Sequence, residues 1–280
     1  MTIIAFQGQA GAYSDLACRM AYPDAQTFPC ETFRSAMEAV RTGQADLAML
    51  PPENSLAGRV SDMHALLPEA GLSIIGETFL RVEHCLLAPK GATVAGIKRI
   101  HSLSVALSQV RKLIAELGAT PVPEYDTAGS AELVAKLNNP EDAAIASSLA
   151  GELHGLEVLR HNVEDEDHNT TRFYVMAREP VALDPKTPNL ITTFVFNVRN
   201  VPAALYKALG GFATNGVNMT KIESYMINGS FTATQFLAEV EGHPDLPALR
   251  YAFEELAFFS TEIKILGTYP ADPFRLSLQA

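Results

Sequence analysis

The chain has 280 residues, of which 48% are apolar, and carries a formal charge of -11. That length allows two packed domains, and the acidic balance argues against a nucleic-acid partner, because binding a polyanion requires clustered Lys and Arg. No apolar run reaches the roughly 20 residues of a membrane span, and the N-terminal residues follow a strand pattern rather than that of a signal peptide. We therefore expect a cytoplasmic protein with neither a nucleic-acid nor a membrane partner.

The chain has three cysteines, Cys18, Cys30 and Cys85. Their number is odd, and they lack the short paired spacing of a zinc or redox site. We therefore expect buried thiols in a reducing compartment.

Strand patterns alternate with amphipathic helix patterns through the first 180 residues, and this alternation predicts an α/β architecture. The predicted strands are 3–6, 47–50, 72–75, 84–88 and 143–146. The predicted helices begin at about Ser14 and near Ser130, and cover 104–117, ending at Gly118, and 148–154, ending at Gly155.

A proline-rich segment, 178–189, predicts a linker at a domain boundary. The pattern after it predicts, in order, a strand at 190–198, a helix at 202–213, strands at 218–227 and 231–240, a helix at 244–259 and a strand at 262–268. Asn228-Gly229 is a typical dipeptide of a tight hairpin between the two middle strands. This βαββαβ order indicates a ferredoxin-like sandwich.

The segment GQAGAYS, residues 8–14, places glycines and Ser14 between the first strand and the first helix. A helix N-terminus there favours an anion, because its backbone N–H groups are free. An ordinary turn with Ser14 as the helix cap is the alternative.

The segment PPENSLAGRV, residues 51–60, follows a predicted strand, so its polar groups leave the carboxyl end, where open α/β sheets bind ligands. Glu53 can accept a proton or hydrogen bond, and Asn54 and Ser55 can donate. A loop in which Asn and Ser cap backbone groups is the alternative.

The segment DTAGSAELV, residues 126–134, opens another helix with Thr127, Ala128, Gly129 and Ser130, and suits a carboxylate ligand. Capping by Thr127 or Ser130 alone is the alternative.

The segment VEDEDHNTTRF, residues 163–173, joins an acidic run to Thr170, Thr171, Arg172 and Phe173. The hydroxyls and the arginine suit a small anion, although a capped loop before a strand has the same pattern. Arg172 either binds a carboxylate bidentately or forms a structural ion pair. Phe173 either lines a ring pocket or packs in the core.

Together these segments resemble prephenate dehydratase, a family in which the threonine of the Thr-Arg-Phe motif is essential. The resemblance runs nearly end to end and implies conversion of prephenate to phenylpyruvate, in phenylalanine biosynthesis, by a lyase without metal or organic cofactor. It implies Thr171, Arg172, Phe173, Glu53 and Asn54 as catalytic residues. The implied substrate-binding residues are Ser14, Ser55, Thr127, Ala128, Gly129 and Thr170.

The resemblance weakens at residues 100–109, where Leu103 and Val105 replace polar residues of the family, while Gln109 matches. We expect the same fold there with an altered wall. His101, beside an apolar helix pattern, is a weaker candidate site residue.

The C-terminal part resembles an ACT domain, which binds amino acids between subunits, and implies L-phenylalanine as effector and a homodimer or homotetramer. The implied effector-binding residues are Ala203, Ala204, Leu205, Asn218, Met219, Thr220, Glu223 and Ser224. Ala203 replaces a common glycine, and Tyr225-Met226 replaces a common Arg-Pro. Weakened effector binding or a pure dimerisation module are the alternatives.

The expected fold is therefore α/β, with a two-lobed, periplasmic-binding-protein-like catalytic domain over 1–180, a cleft between its lobes, a linker over 181–189, a ferredoxin-like ACT domain over 190–270 and a tail over 271–280. An arogenate dehydratase or a non-catalytic sensor of small anions are the rival functions.

Overall fold

The structure is a computed structural model that describes residues 1–226 and 233–277. The chain groups into two compact units: one contains Met1–His64 and Thr78–Phe173, and the other contains Ala65–Glu77 and the chain from Tyr174 onward. The predicted boundaries at 180, 189 and 270 stay predictions.

The strands and helices follow an alternating order. The strands are β1 (Ile3–Gln7), β2 (Gln26–Cys30), β3 (Leu47–Asn54), β4 (Gly58–Arg59), β5 (Ser73–Arg81), β6 (Cys85–Ala88), β7 (Arg99–Leu103), β8 (Thr120–Glu124), β9 (Asp142–Ala146), β10 (Glu157–Arg160), β11 (Thr170–Ala177), β12 (Leu190–Val198), β13 (Met219–Met226), β14 (Ala233–Glu241) and β15 (Ser260–Pro270). The helices are α1 (Tyr13–Ala21), α2 (Phe33–Arg41), α3 (Ser61–Leu66), α4 (Ser104–Ser108), α5 (Arg111–Leu117), α6 (Thr127–Leu137), α7 (Ser148–His154), α8 (Ala204–Thr214), α9 (Pro247–Phe259) and α10 (Pro273–Ser277).

The first sheet has the order β2-β1-β3-β11-β5, and β4 pairs with β3. Strand β1 is parallel to both β2 and β3. Its central residues Ile4, Ala5 and Phe6 are fully buried, as expected for a parallel strand that is covered on both faces. Strands β3 and β11 are neighbours, so the two segments that carry the predicted catalytic residues lie side by side.

The second sheet has the order β10-β6-β9-β7-β8. Strand β9 reads Asp-Ala-Ala-Ile-Ala and is buried along its whole length. Its small side chains let helices α6 and α7 pack closely, and Ala128, Ala131 and Ala150 share one core with Ala144 and Ala146. This sheet and its helices belong to the first unit. The division of that unit into two lobes with a cleft between them stays a prediction.

Gly11 allows a close approach between the turn that precedes α1 and helix α7. Its φ is +88°, and a Cβ built there would lie 2.8 Å from the Cα of Ala150. The Ser147 hydroxyl donates to the Gly11 carbonyl oxygen over 2.6 Å. Only glycine satisfies both the dihedral angle and the spacing.

The second unit has an antiparallel sheet in the order β13-β14-β12-β15. Helices α8 and α9 pack on it around Phe194, whose ring stacks on Phe212 at 5.7 Å and meets Phe253 edge-on at 4.9 Å. The element order is the predicted βαββαβ. The predicted Asn228-Gly229 hairpin lies outside the described residues.

The end of the second unit is anchored by a buried charge cluster that the sequence did not predict. Arg275 of α10 donates to both carboxylate oxygens of Glu77 at 2.8 Å and to Glu239 at 3.1 Å. The Tyr174 hydroxyl donates to Glu239 over 2.6 Å. Both carboxylate side chains are completely buried, so the described part of the predicted tail, residues 271–277, belongs to the packed unit.

The predicted helix over 104–117 is wrong as a single element, because it is broken into α4 and α5 at Gln109 and Val110. The Asp165 carboxylate accepts from the backbone N–H groups of Arg111 and Lys112 at 3.0 Å each, which caps the second helix. The apolar periodicity continues through the break because α4 and α5 pack on the same core.

Other boundaries differ from the prediction in ways that side-chain capping explains. Helix α6 begins at Thr127 rather than near Ser130, because Asp126 caps it. The strand predicted at 72–75 continues to Arg81. The sequence patterns did not predict β2, β4, β7, β8, β10, α2, α3 or α10. Within 1–226 and 233–277, no helix is both long and apolar enough to cross a membrane.

The cysteines are free and buried, as predicted. Burial first, and then the nearby Glu164 and Glu83 carboxylates, raise the pKa of the Cys85 thiol to about 11. A thiol with a raised pKa is a poor nucleophile at neutral pH.

Candidate active site

The site is built where β3 and β11 lie side by side. Strand β3 ends at Asn54, and β11 begins at Thr170, so the ends of both strands place short polar side chains together. The Ser55 backbone N–H donates to the Thr170 carbonyl over 2.8 Å. The predicted PPENS and NTTRF segments are therefore in direct contact.

Asn54 lies at the centre of this contact. Its Oδ1 accepts from the backbone N–H groups of Leu56 and Ala57 at 2.9 and 2.8 Å. Because that oxygen is fixed by two backbone donors, the other side of the amide must be the NH2 group. Its Nδ2 donates to Asn169 Oδ1 over 2.8 Å and to Thr171 Oγ1 over 2.9 Å.

The Thr171 hydroxyl group is therefore available as a hydrogen-bond donor to a ligand. Its oxygen already accepts the hydrogen bond from Asn54, and in the part of the chain that the structure describes no group accepts its proton. The side chain is half-buried rather than turned fully into the core. A hydroxyl that accepts on one side keeps its own hydrogen for a ligand.

Arg172 and Glu53 form an ion pair, with Nη1 and Oε1 2.8 Å apart. The Arg172 side chain is only 4% exposed, and its guanidinium group lies 6.0 Å from the centre of the Phe79 ring. Of the two roles predicted for Arg172, the structural ion pair is the one present. The pair links neighbouring strands and fixes Glu53 at the edge of the site.

Phe173 is 1% exposed and lies in the core of β11. Of its two predicted roles, core packing is therefore the one the structure shows.

Ser55 and Thr170 bind each other rather than projecting freely. The Ser55 hydroxyl donates to the His168 carbonyl over 2.7 Å and accepts from the Thr170 backbone N–H over 2.9 Å. These hydrogen bonds hold the loop that precedes β11 against the end of β3. Substrate contacts by Ser55 and Thr170 stay predictions.

The predicted anion site at residues 8–14 is occupied by the chain itself. The buried Asp15 carboxylate accepts from the Gly11 backbone N–H over 2.9 Å and pairs with Arg19. The prediction of Ser14 as helix cap is wrong, because Ala12 is the N-cap and contributes no side-chain bond. Ser14 lies on the buried side of α1, and its contact with substrate stays a prediction.

The start of α6 is occupied in the same way. The Asp126 side chain accepts from the Gly129 backbone N–H over 2.5 Å, so the predictions of Thr127 or Ser130 as cap are wrong. Ala128 is fully buried. A substrate carboxylate would meet the Asp126 carboxylate at this helix end, which disfavours the predicted carboxylate site there.

A second group of polar side chains, which the sequence patterns did not predict, continues from Asn169. Asn169 Nδ2 donates to Gln109 Oε1 over 3.1 Å, and His84 Nε2 lies 2.9 Å from the same oxygen. The Tyr13 hydroxyl lies 2.7 Å from His84 Nδ1. No local pattern predicts this group, because its members come from four separate segments.

His84 and Tyr13 are both in their neutral forms at neutral pH. Desolvation lowers the pKa of His84, although its bond to Gln109 and the Glu164 charge oppose this. Desolvation also raises the pKa of Tyr13 well above its usual range, and nearby acidic groups add to the effect. Both shifts favour uncharged side chains joined by hydrogen bonds.

The weaker candidates lie apart from Thr171. His101 is buried on β7, with Nδ1 2.9 Å from Glu124 and Nε2 3.2 Å from Asp142. Leu103 and Val105 are 37% and 47% exposed, so the altered wall is an apolar surface. Among the residues outside the two gaps, no group of three or more His, Cys, Asp or Glu is arranged to hold a metal ion.

The predicted effector residues lie around the start of α8 and along β13. Ala203 is the N-cap of α8 and has a φ of +60°, a conformation that favours glycine. Thr220 donates to the Glu239 carbonyl over 3.4 Å, and Glu223 lies 3.4 Å from Lys221. Ala204 is buried and Leu205 and Met219 pack on the core, while Asn218 directly precedes β13. Ser224 lies on β13, and effector binding by these residues stays a prediction.

Fold and site define a mixed α/β protein with a preorganised hydroxyl donor, and the comparisons with known proteins agree with that class. The prephenate dehydratase family model matches residues 4–181. The chain belongs to the prephenate dehydratase family.

Three similar proteins represent the range of relatives. A bifunctional N-acyl-homoserine lactone acylase/prephenate dehydratase of Komagataeibacter europaeus is 62% identical over 98% of this chain and 97% of its own length. An arogenate dehydratase/prephenate dehydratase of Arabidopsis thaliana is 37% identical over 96% of this chain and 73% of its own. The structure of a prephenate dehydratase of Arthrobacter aurescens in complex with L-Phe is 33% identical, with a TM-score of 0.86, over 96% of this chain and 90% of that one.

Proposed function

We propose that this chain is a lyase that converts prephenate to phenylpyruvate, with Thr171 as the donor to the departing hydroxyl group. The observation that carries the assignment is the hydrogen bond from Asn54 Nδ2 to Thr171 Oγ1, which leaves the Thr171 proton for a ligand. Membership of the prephenate dehydratase family supports the choice of substrate.

The reaction breaks two bonds of the substrate ring. The electron pair of the bond to the ring carboxylate enters the ring as CO2 leaves, and the hydroxyl on the opposite carbon leaves with the electrons of its C–O bond. The departing oxygen becomes water with a proton that comes from the solvent. The ring becomes aromatic, so the enzyme has only to assist a poor leaving group and hold the geometry.

Thr171 assists by stabilising charge rather than by releasing its proton. An alcohol is too weak an acid to be a free general acid at neutral pH. A preorganised donor aimed at the developing hydroxide contributes about 3 kcal/mol to the transition state. Asn54 increases that effect, because donating to Thr171 Oγ1 makes the remaining O–H group a better donor. The reaction needs neither metal nor organic cofactor.

The direct test is to mix purified protein with prephenate and to follow phenylpyruvate by its absorbance in alkali. Turnover that Thr171→Ala abolishes supports the proposal. Binding of prephenate without conversion would instead favour the rival function, a non-catalytic sensor of small anions.

Arogenate is the alternative substrate, and the Arabidopsis relative carries both names. Arogenate and prephenate differ only in an amino or keto group on the side chain, so one polar contact decides between them. Assays of both substrates with the same preparation give the ratio of kcat/KM.

The βαββαβ order over residues 190–270 supports a regulatory ACT domain with L-phenylalanine as effector. The L-Phe complex of the Arthrobacter relative supports that ligand. Such domains bind the amino acid between subunits, so the proposal includes a homodimer or homotetramer. Calorimetric titration with phenylalanine, together with the mass in solution, tests both parts.

A second candidate function comes from the relative that is 62% identical, which is named as an acylase for N-acyl-homoserine lactones. The high identity over nearly the whole chain is the observation that favours it. Release of free homoserine lactone from an N-acyl substrate, measured with the same preparation and with Thr171→Ala, shows whether the two activities share a site.

A further inference from the structure

We propose that His84 is a positioning residue that fixes the side-chain amide of Gln109, so that the Gln109 NH2 group donates to a substrate oxygen. This inference rests on the proposed dehydratase function. Tyr13 and His84 on one side of Gln109, and Asn169 and Asn54 on the other, hold its side chain in a single orientation.

The orientations of the Asn54, Asn169 and Gln109 side-chain amides all follow from two backbone N–H groups. Asn54 Oδ1 is fixed by the N–H groups of Leu56 and Ala57, so Asn54 Nδ2 faces Asn169 as a donor. The Asn169 atom that faces Asn54 must then be Oδ1, and its Nδ2 faces Gln109 as a donor. The Gln109 atom that receives this bond must be Oε1.

The tautomer of His84 follows from the same sequence of bonds. Because Gln109 Oε1 can only accept, His84 must carry its proton on Nε2, which lies 2.9 Å away. The neutral His84 ring then has a lone pair on Nδ1, and the Tyr13 hydroxyl donates to it over 2.7 Å. The Tyr13 hydroxyl also lies 3.1 Å from the Glu83 carbonyl, but the contact with Nδ1 is the shorter.

The His84 ring itself has little freedom to move. The residue is 2% exposed, and its backbone N–H donates to Glu164 Oε2 over 2.9 Å. The Tyr13 ring meets it edge-on with 5.5 Å between the centres. A rigid donor at Nε2 therefore holds Gln109 Oε1 in place.

The NH2 group of Gln109 is what remains for a ligand. Gln109 Oε1 is used by two donors, and among residues 1–226 and 233–277 no group accepts from Gln109 Nε2. Gln109 lines a cavity of about 240 Å³ together with Leu56, Val105 and Ser108 and with the acidic residues Glu164, Asp165 and Glu166, so the substrate oxygen that its NH2 group meets is an uncharged one. Gln109 and Thr171 are joined through Asn169 and Asn54, so two substrate donors share one rigid array.

Two matched variants separate positioning from packing. In His84→Gln, the new amide NH2 reaches the place of Nε2 and still donates to Gln109. In His84→Asn, the shorter amide keeps a partner for Tyr13 but leaves no donor at that place. We expect His84→Gln to retain most of the wild-type kcat. For His84→Asn we expect kcat to be about 100-fold lower than that of the wild type. Equal kcat/KM for the two variants at comparable melting temperatures would overturn the proposal.

A double-mutant cycle shows whether His84 acts through Gln109. If it does, His84→Asn adds little further loss in the Gln109→Ala background. A full additional loss in that background means that His84 acts elsewhere, and the proposal is then wrong.

A measurement on the unaltered protein keeps the inference testable if the variants do not fold. The 15N chemical shifts of the His84 ring are expected to show a protonated Nε2 and an unprotonated Nδ1. A proton on Nδ1 would contradict the proposed directions of the hydrogen bonds. This result does not depend on turnover. An inactive wild-type protein with the expected tautomer would therefore contradict the dehydratase assignment but not the proposed directions of the hydrogen bonds.

Discussion

Asn54 Nδ2 donates to Thr171 Oγ1 over 2.9 Å, across two neighbouring strands. The direction of this bond matters more than its length, because it decides whether the threonine offers a proton or a lone pair to a ligand. Backbone N–H groups on the other side of the Asn54 amide fix that direction.

Asn54→Asp tests the direction of the bond without changing the size of the side chain. The carboxylate still accepts from the two backbone N–H groups, so we expect a folded protein. It cannot donate, and it would accept the Thr171 proton itself, so kcat should fall by about 100-fold or more. Phenylpyruvate formation measures the effect. A variant with near wild-type kcat would show that Thr171 does not need its proton for the ligand.

Thr171→Ala should keep the fold and reduce kcat by about 100- to 1,000-fold, because the donor to the leaving group is lost. Thr171→Ser is the matched control, since it keeps the hydroxyl. Thr170→Ala should be milder, because Thr170 contacts Ser55 through its backbone N–H and carbonyl. If Thr171→Ala folds and turns over normally, the donor assignment fails.

Ala203→Gly should stabilise the protein by about 1 kcal/mol, because Ala203 has a φ of +60° and glycine adopts this conformation without strain. Ala204→Gly, one residue further inside α8, should have the opposite sign and a cost of about 1 kcal/mol. Denaturant unfolding of both variants measures the difference. Two changes of the same sign would contradict the argument from backbone strain.

Arg275→Ala should destabilise the protein by about 3–5 kcal/mol, because it removes the guanidinium group that binds two completely buried carboxylates. Arg41→Ala is the control, since both side chains of the Arg41–Glu38 pair are about half exposed and the change should stay within about 0.5 kcal/mol. Thermal unfolding distinguishes the two, and similar melting temperatures would refute the prediction.

Gly11→Ala should cost about 2–4 kcal/mol, because the new Cβ would lie 2.8 Å from the Cα of Ala150 and φ is +88°. Gly118→Ala isolates the dihedral contribution, since φ there is +60° but no atom lies within 4 Å of the added Cβ. We expect it to cost about 1 kcal/mol. Equal costs would show that the contact with Ala150 relaxes freely.

The sequence predicted those parts of the fold that depend on local periodicity. The order of strands and helices after residue 190 follows from alternation and turn residues, and the buried strand at 143–146 is a short apolar run. The break between α4 and α5 was not predictable in this way, because the cap comes from Asp165, more than 50 residues away in the sequence.

The candidate site was predictable in part for the same reason. Asn54 and Thr171 lie in recognisable segments, but nothing local indicates that one donates to the other. At the two helix starts where anion sites were predicted, the carboxylates of Asp15 and Asp126 accept from the backbone N–H groups, which no local pattern indicated. Substrate binding at these helix starts stays a prediction. Tyr13 and His84 belong to the site only through contacts over 70 residues apart in the sequence.

The Asn54 amide takes its direction from peptide groups rather than from side chains. Side chains at positions 56 and 57 can therefore diverge among relatives without disturbing the chemistry, whereas proline at either position would delete an anchoring hydrogen and release the whole array from Thr171 to Tyr13.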